Sequence, residues 1–408
     1  MPEAVLVAAA RSPIGRAVKG SLKDVRPDDL VAQMIRTALD QVPVLDRHEV
    51  DDVYLGCGLP GGESGFNMAR VVNVMNGMDD VPGATITRYC ASSVQTTRMA
   101  FHAIKAGEGD VFVSAGVETV SRFVNGSSDS WPDTRNPTFD EATARTADRA
   151  EHGSDGTAWH DPREDGVLPD AYIAMGQTAE NVATLRGLSR RELDEFGVRS
   201  QNLAEKALAD GFWQREITPV TTPDGTVVAG DDGPRPGVTL EAVSGLKPVF
   251  RPDGVVTAGN CCPLNDGAAA VVVMSDTRAA ELGITALARV VATGVSALSP
   301  EIMGLGPVEA SRRALAHAGM TIGDIDLVEI NEAFAAQVVP SYRDLGIDLD
   351  RLNVNGGAIA VGHPFGMTGA RLQATMLNSL DWHDKSLGLI TMCVGGGQGM
   401  ALILERLG

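Results

Sequence analysis

Ala84-Thr85-Ile86-Thr87-Arg88-Tyr89-Cys90-Ala91-Ser92-Ser93-Val94-Gln95 is the stretch on which the reading of this chain turns. A short apolar run ends at one cysteine, and small hydroxyl residues follow at once. Val94, Phe101 and Ile104, with Ala100 and Ala103, then fall on one helical stripe that runs to Gly107. Ser92 and Ser93 are good helix-start residues, so the pattern predicts strand, turn and helix, with Cys90 at or just before the helix N-terminus. Unpaired N–H groups and the helix dipole favour negative charge there. In such a setting a thiol of ordinary pKa about 8.5 can fall to roughly 3.5–7.5. The other reading is a small cysteine buried in a core turn, and this stretch alone leaves both open.

Outward from it, strands and helices alternate. Ala4 to Ala10 reads as a buried strand, Asp28 to Val42 as an amphipathic helix, and Val50 to Gly56 as a second strand. A further helix lies within Gly61 to Met78, and a buried strand follows at Asp110 to Gly116. That alternation predicts an α/β fold whose sheets are covered on both faces. From about Ser121 to Val249 the texture changes. Asn125 to Asp170 is polar, with Trp131, Trp159 and His160 isolated in it, and reads as a surface excursion. Helices are expected around Met175 to Leu185 and Ser189 to Asp210, and β-structure at Gly254 to Asn260 and Ala268 to Met274.

The second half then repeats the first. Ala38 onward (ALDQVPVLDRHEVDDVYLGCG) and Ala314 onward (ALAHAGMTIGDIDLVEINEAF) both run helix end, acidic link, strand and small or polar turn. A duplicated core follows, with Cys90 in one half and Cys393 in the other. The expected division is residues 1–121 with 250–276 as the first core half, 122–249 as a loop domain inserted in it, and 277–408 as the second half.

Composition narrows the function classes. In 408 residues the net charge is −19, which argues against nucleic-acid or anionic-membrane partners. A small anionic ligand needs only a local basic patch. No apolar run reaches the ~18–20 residues of a membrane span. The N-terminus lacks a basic, then apolar, leader and the C-terminus is not a peroxisomal address. Cys57, Cys90, Cys261, Cys262 and Cys393 contain no C-x-x-C pair, so neither a disulfide framework nor a structural zinc site is expected. A reducing cytoplasm is the expected compartment.

Three further segments can carry chemistry. Asn355-Gly356-Gly357-Ala358-Ile359-Ala360-Val361-Gly362-His363-Pro364 presents one histidine from a glycine-rich turn, either in an open pocket or in a structural role. Cys393-Val394-Gly395-Gly396-Gly397 places a cysteine at a strand end before backbone that can aim N–H groups at an oxyanion. Asn331-Glu332-Ala333-Phe334 follows a buried strand, where Asn331 is also a plausible helix N-cap.

Taken together with Met175-Gly176-Gln177-Thr178-Ala179-Glu180-Asn181, Thr257-Ala258-Gly259-Asn260 and Leu264-Asn265-Asp266-Gly267, these segments resemble the thiolase family along essentially the whole chain. The resemblance implies a duplicated five-layer αβαβα core with an inserted loop domain, assembled as a homodimer or homotetramer. It implies an acetyl-CoA C-acyltransferase that cleaves 3-ketoacyl-CoA with coenzyme A as co-substrate, in fatty-acid β-oxidation, with no metal or organic cofactor. Cys90 resembles the nucleophile, His363 its activating base, and Cys393 the residue that moves the proton at the acetyl-CoA α-carbon. Asn331, through a water, and His363 would form one oxyanion hole; the N–H groups of Cys90 and Gly395 would form the other. Arg235 matches a loop-domain arginine near the nucleotide, Ala258 and Phe334 match pantetheine-tunnel positions, and Met175 and Met303 border the thioester pocket, core packing being their alternative role.

Two departures matter. Cys262 stands where the family commonly has serine at a pantetheine contact, and with Cys261 it forms an adjacent pair, read as a redox pair or as two small residues. Ala174 replaces the histidine of short-chain biosynthetic members, which predicts an acyl pocket open to chains longer than acetoacetyl. The alternatives are a short-chain acetoacetyl-CoA thiolase and a non-catalytic lipid-binding relative. The acidic loop from Asp129 to Asp165 is a candidate docking surface for a β-oxidation partner subunit.

Overall fold

A computed structural model describes all 408 residues. The first half supplies strands β1 (Ala4–Arg11), β2 (Gly15–Arg16), β3 (Asp52–Cys57), β4 (Gly83–Ile86) and β5 (Val111–Thr119). Its helices are α1 (Pro27–Asp40), α2 (Met68–Met75) and α3 (Ser92–Ala106). The excursion that follows carries α4 (Asp140–His152), α5 (Met175–Arg186), α6 (Arg190–Ala209), α7 (Leu240–Ser244) and a ribbon of β6 (Val220–Thr221) with β7 (Val227–Val228). Strand β8 (Asn265–Ser275) then returns to the core. The second half contains α8 (Asp276–Glu281), β9 (Ala288–Ala297), α9 (Gly306–Ala318), β10 (Leu327–Ile330) and α10 (Ala335–Leu345). It closes with α11 (Ala358–Val361), α12 (Thr368–Trp382), β11 (Leu387–Val394) and β12 (Gln398–Arg406).

Strand order exposes the duplication. The first sheet runs β4-β3-β5-β8-β1, with β4, β3 and β5 parallel and β8 antiparallel to both β5 and β1. The second runs β10-β11-β12-β9 with the same alternation of directions, and a parallel bridge from Val328 to Leu352 stands where β4 stands in the first. The sheets join edge to edge through Leu6 and Ala288.

Side-chain alternation along each strand then builds the layers. In β8, Val271 and Val273 face the central cluster while Val272 and Met274 face the cluster under α1 and α2. In β12, Met400, Leu402 and Leu404 face the centre, and Ala401 and Ile403 face the cluster that holds α9 and α10. Helices α3 and α12 pack together between the sheets, contributing Val94, Ile104, Leu372, Met376 and Leu380 to the central cluster. Fully burying each such aliphatic side chain stabilises the fold by about 1.5–3 kcal/mol. The result is five layers, helix, sheet, paired helices, sheet and helix.

Three local expectations fail. Gly254 to Asn260 forms no strand; Glu180 accepts the N–H groups of Val255 and Val256, and only a bridge from Thr257 to Pro248 remains of sheet structure. Helix α10 begins at Ala335 with Phe334 in the capping position, so Asn331 is not an N-cap. Trp159 is no surface residue, because its indole N–H donates to Glu301 at 2.7 Å and the side chain is buried. The polar excursion also contains α4, a helix whose low apolar content hid it from periodicity.

Candidate active site

Both central helices point their N-termini at the same region. The turn Tyr89–Ala91 leads directly into α3, and Ser92 Oγ accepts the Arg88 N–H and donates to the Tyr89 carbonyl, closing that turn. Tyr89 sits at φ 44°, a left-handed conformation that costs roughly 1–2 kcal/mol in a residue with a side chain. The strain lies immediately before Cys90, where such outliers mark functional sites. Arg88 donates to Gln398 Oε1 at 2.7 Å, tying this turn to the hairpin between β11 and β12. Cys90 and Cys393 therefore face one region from different halves.

A cavity of about 800 Å³ opens beside Cys90. Tyr89, Cys90, Gly395, Gly396, Gly58, Leu59 and Phe365 line it from the core halves. Trp131, Tyr172, Ile173 and Met175 line it from the inserted segment. The N–H of Gly395 and that of Cys90 itself face the Cys90 thiol. Gly396 and Gly397, at φ 75° and 76°, make the turn that aims that backbone.

The helix-terminus argument for an acidic thiol does not hold. Burial pushes the Cys90 thiol up to about 12, outweighing the pull of the Gly395 and Cys90 N–H groups, and Glu118 adds to the rise. No cation faces the sulfur to compensate for desolvation. Burial also pushes Cys393 well up, with Cys90 the next cause. His363 is driven down to about 3, by burial first and Arg371 second. Thiol and imidazole therefore both rest neutral at pH 7. The alkylation rate of Cys90 by iodoacetamide in free enzyme is accordingly expected to climb with pH beyond 8.5. The thiolate fraction grows toward a raised pKa, so a rate already level between pH 6 and 8 would mean a preformed ion pair instead.

The tautomer of His363 follows from its neighbours. Thr368 Oγ1 gives its single proton to the Pro364 carbonyl at 2.7 Å, so it can only accept from His363 Nδ1 at 2.6 Å. That leaves Nε2 unprotonated, its lone pair accepting from Asn331 Nδ2 at 3.3 Å. Asn331 Oδ1 is buried with no protein partner, a position suited to a water. Gly362 reaches φ 111°, and a Cβ there would meet Ile14 and Asn265, so only glycine fits before this histidine. Asn265 accepts the His363 N–H at 2.9 Å and fixes the loop from below.

The remaining sequence-predicted residues scatter. Met175 lines the cavity, whereas Met303 is 1% exposed in the core cluster and takes the packing role. Cys262 is half-buried, donates its N–H to Ala333, and lies within electrostatic reach of Cys90 and Cys393. Phe334 packs edge-on against Phe250. Ala258 and Arg235 are exposed and outside the cavity wall, with Arg16 close enough to Arg235 to lower its pKa further after burial. All five cysteines are free. No group of three or more His, Cys, Asp or Glu side chains is placed to hold a metal ion. The sequence patterns did not single out Thr368 or Glu118, and they gave Asn265 no role beyond its place in the Leu264–Gly267 segment, yet Asn265 and Thr368 bond His363 directly. Of the three, Glu118 had a signal, an acid closing the apolar run Val111 to Val117.

The family described as "Thiolase, N-terminal domain" matches residues 4–277, and "Thiolase, C-terminal domain" matches residues 284–406. The chain is 40% identical to a 3-ketoacyl-CoA thiolase of Bacillus subtilis, covering 99% of this chain and 100% of that one. It is 42% identical to the 3-oxoadipyl-CoA/3-oxo-5,6-dehydrosuberyl-CoA thiolase of Escherichia coli, with both chains fully covered. The solved dimeric peroxisomal thiolase of Saccharomyces cerevisiae superposes with a TM-score of 0.88 at 33% identity, covering 100% of this chain and 98% of that one. With matching sequence over both halves, matching architecture and this constellation at their junction, the chain belongs to the thiolase family of acyltransferases.

Proposed function

We propose that the protein cleaves 3-ketoacyl-CoA with coenzyme A, giving acetyl-CoA and a shortened acyl-CoA, through a Cys90 thioester. The observation that carries this reading is the His363–Asn331 pair, with His363 Nε2 unprotonated and its ring against Phe365, which lines the same cavity as Cys90. His363 Nε2 takes the Cys90 proton, and the thiolate attacks the 3-keto carbon. The N–H groups of Cys90 and Gly395 receive the oxyanion. When the bond between C2 and C3 breaks, its electron pair goes to the acetyl-CoA enolate, whose oxygen faces protonated His363 and the Asn331 water. Cys393 supplies the α-carbon proton and recovers one from incoming coenzyme A. The coenzyme A thiolate then displaces Cys90 from the thioester, and His363 returns its proton. Coenzyme A is a co-substrate, and Arg235, Ala258, Cys262 and Phe334 are assigned to its binding.

β-Oxidation is the pathway we favour. A 3-oxoadipyl-type substrate is the second reading, because a 42% identical relative carries that name and Arg135, stacked over Tyr172, lines the cavity. Asp129, Asp133 and Asp140 share that wall and outnumber Arg135, which supports an uncharged acyl group. Their presence there also supports an acyl-site role for this loop in place of docking a β-oxidation partner subunit. The small side chain of Ala174, at the N-cap of α5 next to cavity-lining Met175, supports a pocket open to longer chains. Medium-chain 3-ketoacyl-CoA is expected to exceed both acetoacetyl-CoA and 3-oxoadipyl-CoA in kcat/KM by about tenfold. A clear preference for either of the latter overturns this substrate assignment. A homodimer or homotetramer is the proposed assembly, supported by the dimeric relative and by exposed Phe66 and Val124. No helix is long and apolar enough to cross a membrane.

A further inference from the structure

The loop that carries His363 is held at both of its ends by buried carboxylates from different halves. At its entry, Glu332 Oε2 accepts the Ile359 N–H at 3.1 Å and the Ser200 hydroxyl at 2.5 Å, and Oε1 accepts from Asn353 at 2.7 Å. At its exit, Glu118 Oε2 accepts the Gly366 N–H at 2.9 Å and the Gly58 N–H at 2.7 Å. Glu118 Oε1 takes the Leu59 N–H at 3.3 Å and faces Cys57 Sγ at 3.7 Å. Glu118 is fully buried, and no arginine, lysine or histidine bonds to it. Burial pushes its pKa up to about 7, against the pull of the Gly366, Gly58 and Leu59 N–H groups.

A buried acid with no cation beside it is costly. The oxygens of Glu118 join two backbone segments, Gly58–Leu59 and Gly366. A Cβ on Gly366 would meet the Val117 and Gly56 carbonyl oxygens at 2.3 and 2.7 Å. A Cβ on Gly58 would meet Glu118 Oε2 at 2.7 Å and Phe365 Cβ at 2.8 Å. These close approaches bring the exit of the His363 loop against the wall formed by Gly58 and Leu59, which lines the cavity at Cys90.

We propose that Glu118 is a positioning residue for catalysis, whose carboxylate clamps Gly366 to Gly58 and so holds His363 at the distance and angle from Cys90 that proton transfer needs. This rests on the reading of His363 as the base. A small misplacement of a general base is felt in the rate far more than in substrate affinity.

The test compares Glu118→Met with Glu118→Gln. Methionine keeps the volume and leaves the Gly366, Gly58 and Leu59 donors unpaired. Glutamine can keep its one carbonyl oxygen at the Oε2 position, where Gly366 and Gly58 both donate. The expected result is a fall in kcat of about 100-fold for methionine with KM within threefold, and recovery to within about tenfold for glutamine. Cys90 alkylation by iodoacetamide should slow in the same order. A folded methionine variant with wild-type kcat, or equal losses in kcat and in thermal stability with an unchanged alkylation rate, overturns the proposal. If methionine does not fold, Gly58→Ala decides: its Cβ would meet Glu118 Oε2 at 2.7 Å and push the carboxylate off the clamp, so kcat and alkylation must fall together with KM within threefold. Wild-type kcat and alkylation in a folded Gly58→Ala then overturn the clamp. Loss of activity in His363→Asn alongside an unaffected Glu118 series would leave the mechanism standing and remove only this inference.

Discussion

Cys90→Ala is expected to lower kcat for 3-ketoacyl-CoA cleavage by on the order of 10⁴-fold or more, with no measurable covalent acyl-enzyme. The reasoning is local. Cys90 is the thiol in the cavity wall, and the Gly395 and Cys90 N–H groups face that sulfur. Removing the sulfur leaves the oxyanion donors in place but nothing to attack the 3-keto carbon. The fold should survive, because the side chain is small and its turn is closed by Ser92 and the Arg88–Gln398 hydrogen bond. Incubation with radiolabelled 3-ketoacyl-CoA, quenching and mass measurement would detect the thioester in wild type and not in the variant. A labelled adduct that persists in Cys90→Ala would assign the nucleophile elsewhere, with Cys393 and Cys262 the nearest alternatives.

His363→Asn carries the second large effect. Asparagine retains a polar group near Asn331 but cannot take a proton, so it removes the base and the developing cationic oxyanion partner together. General-base loss alone costs about 10²–10⁴-fold, and loss of an oxyanion donor about 10²–10³-fold. A fall in kcat of about 10⁴-fold is expected, with KM changed little. The acid side of the wild-type profile gives a sign check on the resting state. A histidine pKa driven down to about 3 keeps the imidazole neutral, and able to accept, throughout pH 5–8. Activity lost on lowering pH from 7 to 5 with a group near 6.5 that persists unchanged in Glu118→Gln would show that His363 is charged in the free enzyme, contrary to its burial; a group that disappears in that variant belongs to Glu118, which burial pushes up to about 7.

Much of this site was legible in the sequence because small, glycine-flanked residues at strand ends leave a local signature. Cys90 before Ser92 and Ser93, His363 after Gly362, and Cys393 before Gly395 to Gly397 are each read from their immediate neighbours. The same locality misled at Asn331. As a residue after a strand and before a helix it reads as a cap, yet the helix starts four residues later and its amide turns to His363. It misled again on the Cys90 pKa. A helix N-terminus can be seen in sequence, but the burial that outweighs it depends on side chains hundreds of residues away.

By itself, the chain's sequence determined the α/β alternation, the repeat of its two halves and the segments from which the proposed reacting residues come. Period-two and helical patterns are set by neighbours within a few positions, and so survive without tertiary information. The five layers were implied by the family resemblance, but only the tertiary structure decided that α3 and α12 are the enclosed helices and that the sheets join at Leu6 and Ala288, since edge pairing leaves no local trace. It alone decided the tautomer of His363 through Thr368, the core placement of Met303, and the carboxylates Glu118 and Glu332 at the two ends of the histidine loop. Each of these depends on which buried polar atom finds which partner. In a low-dielectric interior that pairing is enforced by the cost of leaving a donor or acceptor unmet, and it joins residues that the chain keeps far apart.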